Sequence, residues 1–168
     1  MKETKIEIAG VVFAKLRPEK REVLADIGCG NGGIAEFFAP YVAKVFAVDL
    51  DAERVARCKK RLEKFDNVEV LKMHGLEFLR EYDYDIVFFG GTKRVEEMLE
   101  IAVKRAERVV VNAARIEVAT RVVEKMRRLG IFREVLIVNV SRSYDLAGGT
   151  AFKSLNPVFV IFGATSTP

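Results

Sequence analysis

The chain has no tryptophan, no glutamine, one histidine, two cysteines and four prolines among its 168 residues. A single histidine excludes a zinc site built on several imidazoles and a histidine-rich catalytic cluster, so no metal centre is expected. Cys29 and Cys58 are too few for a disulfide framework, and neither has a metal-ligating neighbour at useful spacing. No apolar run approaches the roughly 18–20 residues that span a bilayer. The opening Met1-Lys2-Glu3-Thr4-Lys5 leads into a charged amphipathic stretch, not the apolar core of a signal peptide. These absences lead to the expectation of a cytoplasmic protein with no membrane partner. Low-complexity segments and fixed-period repeats are also missing.

What is present is enough for a core. Hydrophobic residues make up 50% and charged residues 31%, which argues against disorder as the main state. The length suits a single domain over residues 1–168. Lys plus Arg is 28 against 24 for Asp plus Glu, a formal charge of +4. That bias suits an anionic partner without naming one. Abundant Glu, Lys and Arg without glutamine lean towards a thermophilic source. A melting temperature well below about 60 °C would contradict that leaning.

The chain alternates between strand and helix signals. Apolar positions at Ile6, Ile8, Val11, Val12, Phe13 and Leu16 predict a helix over 4–16. A short apolar run over 22–27 ends in Gly28-Cys29-Gly30-Asn31-Gly32-Gly33, and a helix is expected over 34–42. Val45 to Val48 reads as a buried strand ending at Asp49, and Asp51 is suited to cap the next helix. Further strands are expected over 68–73, 85–89 and 108–111. Helices are expected from Leu76 and over 95–106 and 116–129, the last closed by Gly130. After that no helix intervenes between strands over 132–140 and 151–162, which a turn at Ala147-Gly148-Gly149 joins. The pattern is α/β: a parallel sheet finished by an antiparallel hairpin.

Gly28, Gly30 and Gly33 fit G-x-G-x-x-G between a strand and a helix. Such a turn lets a ligand approach backbone amides at a helix N-terminus. Asp49 follows at the end of the second strand, where a carboxylate can accept both ribose hydroxyls. An adenosine-containing ligand is therefore expected at the carboxyl ends of the strands, either NAD or S-adenosylmethionine (SAM). The alternative is a tight turn with no ligand. Asp26, two residues before Gly28, favours SAM: a carboxylate repels a pyrophosphate but attracts a sulfonium and an ammonium. The closing hairpin and the lack of room for a substrate domain point the same way.

The run Asp26-Ile27-Gly28-Cys29-Gly30-Asn31-Gly32 followed by Val48-Asp49 resembles motif I and the acidic motif of class I SAM-dependent methyltransferases. From about residue 3 to residue 163 the chain also resembles the cobalt-precorrin-6B C(15)-methyltransferases (decarboxylating) of cobalamin biosynthesis. Four segments carry this: Thr4-Lys5-Ile6-Glu7-Ile8, Phe88-Phe89-Gly90-Gly91, Val110-Val111-Asn112-Ala113, and Ser141-Arg142 through Gly148-Gly149-Thr150 to Asn156-Pro157-Val158-Phe159. The resemblance implies one Rossmann-like class I methyltransferase domain with a seven-stranded, mostly parallel sheet, an antiparallel C-terminal hairpin and helices on both faces. It implies SAM as methyl donor, held by Thr4, Asp26, Gly28, Cys29, Gly30, Asn31, Gly32, Asp49 and the residues after the third strand. There the family usually has Gly-Asp-Ala, whereas this chain has Met73-His74-Gly75. His74 or the Gly75 backbone would then meet the adenine, or His74 is an ordinary strand-end residue.

The substrate implied is a polyanionic tetrapyrrole, precorrin-6B or its cobalt form, methylated at carbon 15 with loss of an acetate carboxyl. Methyl transfer from a sulfonium needs alignment more than a strong base, and the sequence offers no recognisable triad or carboxylate pair. On the substrate side Gly90, Gly91, Asn112 and Arg142 are candidates, with Lys5, Lys93, Arg94, Arg115 and Lys153 as cations for carboxylates. Lys59-Lys60-Arg61 and Arg127-Arg128 read as solvated helix faces, so no nucleic-acid partner is expected. Asn156-Pro157 precedes the last strand, unlike the Asn-Pro-Pro-aromatic motif of amino-methyltransferases, which follows the fourth. An RNA methyltransferase and a non-catalytic SAM-binding subunit remain the alternatives. Self-assembly, or pairing with another corrinoid-pathway methyltransferase, is expected because family members elsewhere are fused to a partner domain.

Overall fold

The computed structural model describes residues 4–166; the remaining residues of the expected 1–168 domain lie outside the described ones. Helix α1 (Ile6–Leu16) leads into β1 (Val23–Ile27), α2 (Gly33–Phe38), β2 (Lys44–Asp49), α3 (Ala52–Leu62) and β3 (Val68–Lys72). Then come α4 (Gly75–Glu81), β4 (Ile86–Phe89), α5 (Val95–Ala102), β5 (Arg108–Ala113) and α6 (Ile116–Arg128). Four strands close the chain: β6 (Phe132–Val138), β7 (Ser141–Leu146), β8 (Gly149–Ser154) and β9 (Val158–Ala164). Among the described residues, no helix is long and apolar enough to cross a membrane.

The main sheet has seven strands in the order β3-β2-β1-β4-β5-β9-β6. The first five are parallel, while β9 runs antiparallel to both β5 and β6. Period-two alternation explains why this sheet is covered on both sides. In β4, Val87 and Phe89 join a core with α4, α5 and α6, while Ile86 and Phe88 join one with α1, α2 and α3. The expected class, with helices on both faces, is the fold observed.

Several boundaries differ from the sequence reading for local reasons. The helix expected over 34–42 is α2 followed by a single 3-10 turn, Ala39–Tyr41, because Pro40 has no amide hydrogen to continue an α-helix. The helix expected over 95–106 ends at Ala102. For α3 the expected cap holds: Asp51 Oδ1 accepts hydrogen bonds from the Glu53 and Arg54 amides at 3.0 and 3.1 Å. Such a cap contributes about 1 kcal/mol.

The largest correction concerns the closing hairpin. The strand expected over 132–140 is β6, but the one expected over 151–162 is broken into β8 and β9, and β7 forms within the expected connector. β6 and β9 complete the main sheet, with Val138 opposite Val158. β7 and β8 pair only with each other, as a separate two-stranded ribbon beyond the sheet. Burial decides this: every residue of β7 is exposed, whereas β9 is buried at most positions. The break falls at Asn156-Pro157, since Pro157 cannot donate to a ladder. The ribbon turns through Ala147 and Gly148, both at positive φ (50° and 77°), as a two-residue hairpin loop of matching twist requires.

Candidate functional site

The chain runs β1, β2, β3 outward in one direction and then returns to place β4 on the other side of β1. Ligands of open α/β sheets sit outside the carboxyl ends of strands at such a reversal. Here the loops after β1 and β4 diverge from adjacent strands and touch through their backbones. Gly28 has φ +76°, and a Cβ on it would lie 2.6 Å from the Gly91 nitrogen. A Cβ on Gly90 would lie 2.8 Å from the Gly28 carbonyl oxygen. Glycine is required on both sides for the loops to nest.

The loop after β1 is wired to the end of β2. The Gly28 and Cys29 amides both donate to the Val48 carbonyl, at 2.8 and 3.1 Å. Gly30 donates its amide to Asp49 Oδ2 at 3.0 Å, and Asp51 donates its amide to Asp49 Oδ1 at 3.0 Å. Asp49 is thus buried and fixed in orientation before any ligand arrives, with further lone pairs free for hydroxyl donors. Arg54 Nη1 lies 4.0 Å from it. Arg57 donates from Nε to Asn31 Oδ1 at 3.1 Å.

Above these loops lies a cavity of about 690 Å³. Its lining includes Thr4, Lys5, Asp26, the 28–31 loop, Arg54 and Arg57, together with Gly90, Thr92, Asn112, Arg115 and Pro157. Asp26 is fully buried, and neither carboxylate oxygen has a hydrogen-bond partner among the described residues. Burial pushes its pKa up to about 8; the Ala35 amide opposes this without closing a hydrogen bond, and Asp49 adds repulsion. Asn112 Oδ1 is likewise buried without a partner. Cys29 also lines the cavity, 3.9 Å sulfur to sulfur from Cys58. Contact with Cys58, together with burial, pushes its thiol pKa up, so it is an inert wall.

These residues fit SAM. An orphaned, buried carboxylate invites a cation, and a pre-oriented acid at the end of β2 invites a diol. The open space over Gly30, where an added Cβ would meet nothing within 4 Å, leaves room for a ligand against the backbone.

Not every expected residue lines this cavity: Asp49 is absent from its lining and is joined to it through the Gly30 amide. Gly32, at φ +86°, turns the chain into α2 and packs against Cys58 and Leu62. Gly91 packs on Gly28. His74 caps α4, its Nδ1 accepting from the Leu76 amide at 3.1 Å, and Gly75 packs against Ile27 and Met98. Arg142, on β7, donates to Glu7 of α1 at 2.9 Å. Lys153 lies on exposed β8, and Arg94 faces a neighbouring cavity with Thr92. Conversely, Arg54, Arg57, Thr92 and Pro157 were not singled out from sequence as site residues. Arg54 and Arg57 had a legible signal: they sit three apart at the start of the helix that follows Asp49, so they share its ligand-facing side.

The sheet order, antiparallel final strands and glycine loop define the fold of the class I SAM-dependent methyltransferases. Residues 2–164 match the family model described as a precorrin methyltransferase domain. The chain is 61% identical over 160 residues to an Archaeoglobus fulgidus protein named "Probable cobalt-precorrin-6B C(15)-methyltransferase (decarboxylating)", covering 95% of this chain and 96% of that one. Among solved structures it is similar to precorrin 8W decarboxylase from Methanobacterium thermoautotrophicum, with a TM-score of 0.92 at 28% identity, covering 98% of this chain and 93% of the other. It is also similar to precorrin-6y C5,15-methyltransferase from Geobacter metallireducens, with a TM-score of 0.90 at 29% identity, covering 96% and 90%. The chain belongs to the precorrin methyltransferase family.

Proposed function

We propose that this chain transfers a methyl group from SAM to carbon 15 of cobalt-precorrin-6B or precorrin-6B, with decarboxylation of an acetate arm. The observation that carries the reading is the cavity itself: its lining holds an orphaned carboxylate, Asp26, together with the cations Lys5, Arg54, Arg57 and Arg115. That polarity suits a cationic donor beside a polyanionic acceptor. Bound SAM would supply an electrophilic methyl carried on a sulfonium. The chain's own work is alignment, which contributes roughly 7–11 kcal/mol to such displacements. Asp26 offers the negative field, Asp49 anchors the ribose, and the fixed glycine loop leaves no slack along the approach. A meso carbon conjugated to nitrogen is already nucleophilic, so no general base is needed. The macrocycle itself can take up the electron pair released by decarboxylation. Asn112, with its free carbonyl oxygen, can accept a hydrogen bond from the acceptor.

The direct test is incubation with methyl-labelled SAM and precorrin-6B or its cobalt form. Label transfer accompanied by carbon dioxide release supports the reading; SAM binding without transfer to either acceptor rejects it. Strongly salt-dependent tRNA binding would instead favour an RNA acceptor. Asp49→Ala is expected to weaken SAM binding by about 1–3 kcal/mol through lost ribose hydrogen bonds. Calorimetry giving an unchanged affinity would remove Asp49 from the site.

Self-association of this chain through the β7–β8 ribbon is part of the same proposal. A lone two-stranded ribbon is marginal in water. This one exposes Tyr144 and Leu146 on one face and Phe152 on the other, apolar groups that a second copy would cover. Light scattering should find more than one copy per particle, and Phe152→Asp should shift the population to monomer.

A further inference from the structure

A second cavity, of about 300 Å³, lies between the starts of α5 and α6 and shares Thr92 and Val118 with the larger one. Its polar walls are two arginines and two glutamates. Arg94 donates from Nε and Nη2 to the carboxylate of Glu97, at 2.8 and 2.6 Å. Arg121 Nε lies 3.4 Å from Glu96 Oε1, and the Arg121 side chain is more than half exposed. Arg94 has φ +58°, a left-handed conformation that a residue with a side chain adopts at some cost. That conformation starts α5 at the end of the short loop that carries Gly90 and Thr92 along the main cavity.

Resting on the substrate reading above, we propose that this side cavity is a subsite for one carboxylate arm of the tetrapyrrole, with Arg121 as its principal ligand and Arg94 as its wall. The size of the main cavity argues for it. About 690 Å³ falls within the range for one ordinary ligand, yet it must hold a methyl donor and part of a macrocycle. The acidic arms of that macrocycle then extend beyond it, and the side cavity is its immediate neighbour, sharing Thr92 and Val118 with it. A guanidinium presents donors as a fork that a carboxylate meets with two parallel hydrogen bonds. Arg121 can offer that fork, because its contact with Glu96, 3.4 Å from Nε, is a half-exposed ion pair that a second carboxylate can displace. Glu96 and Glu97 neutralise the arginines while the subsite is empty. An incoming carboxylate therefore competes with Glu96, and selection falls on ligands whose ring already lies in the main cavity.

The test uses the whole chain, SAM, and uroporphyrin as a fluorescent octacarboxylate probe. Arg121→Ala should weaken uroporphyrin binding roughly three- to tenfold, the effect of a partly exposed charge-assisted contact, and leave SAM affinity unchanged. Glu96→Gln should tighten uroporphyrin binding, since it removes the internal competitor; this variant keeps the test open if Arg121→Ala folds poorly. Uroporphyrin affinities equal to wild type in both variants would overturn the subsite while leaving the methyltransferase reading intact. Failure of the wild-type protein to bind uroporphyrin at all, with SAM binding normal, would overturn the polycarboxylate acceptor and the subsite together.

Discussion

Alanine at position 28 is expected to abolish measurable SAM binding and to lower folding stability by about 3 kcal/mol or more. Two costs combine. Gly28 has φ +76°, a left-handed conformation that costs an alanine roughly 1–2 kcal/mol. The added Cβ would also lie 2.6 Å from the Gly91 nitrogen and 2.9 Å from its Cα. Both are backbone atoms, so no side chain can swing aside, and the ends of β1 and β4 must separate. That separation breaks the floor of the cavity: the Gly90 amide donates to the Ile27 carbonyl at 2.9 Å, and the Gly28 amide reaches Val48. Chemical denaturation and calorimetry with SAM check the two halves. Near-wild-type stability would mean that the two loops do not nest as described.

The second large effect concerns Asp26 and is linked to pH. In the free protein its carboxyl has a pKa raised to about 8, chiefly by burial. At neutral pH it is therefore largely protonated, and a cationic ligand must ionise it to gain its charge. SAM affinity should rise with pH until about pH 8 and then level off, with a proton released on binding below that point. Calorimetry at pH 7 in buffers of different ionisation enthalpy reads that proton directly. Asp26→Asn should weaken SAM binding roughly 10–100-fold, abolish the proton release and flatten the pH profile.

The folding consequence has the opposite sign. The raised native pKa means that the unfolded carboxyl ionises first, so the native state holds the extra proton between about pH 4 and 8. Stability is fully present below that window and declines as pH rises through it. Asn at 26 has no such charge to bury. The ligand-free variant should therefore melt at a higher temperature than wild type at pH 8 and above, while binding the methyl donor worse. A variant that lost both stability and binding would show that Asp26 has a packing role instead.

Most of the fold was legible because its signals are local. The unbroken apolar run Ile86-Val87-Phe88-Phe89 marks a strand from sequence alone, and the structure sends its residues alternately into the two cores. Asp51 capped α3 as its type and position implied. The closing segment misled because apolar runs over 132–140 and 151–162 do not report where a sheet ends. The break follows from the missing amide of Pro157 and from which residues the sheet buries.

The site was legible only in part. Its glycines and acids are fixed by backbone geometry and strand ends, so the run 26–31 reached the cavity through short-range rules. The cations were not fixed in this way. Arg142 pairs with Glu7, and Arg94 with Glu97 beside a second cavity that it shares with Arg121. His74 spends one ring nitrogen on a helix cap. A long charged side chain reaches several ångströms in any direction, and its partner is chosen by whichever element packs nearby.

The sequence by itself therefore determined the alternation, the glycine turn and the acids Asp26 and Asp49, since each depends on residues close along the chain. Only the tertiary structure decided that Gly28 and Gly90-Gly91 require one another, that β7 and β8 leave the sheet, and that Arg121 and Arg94 line one cavity with Thr92. Those outcomes depend on distances between elements far apart in the chain, which periodicity and spacing do not encode.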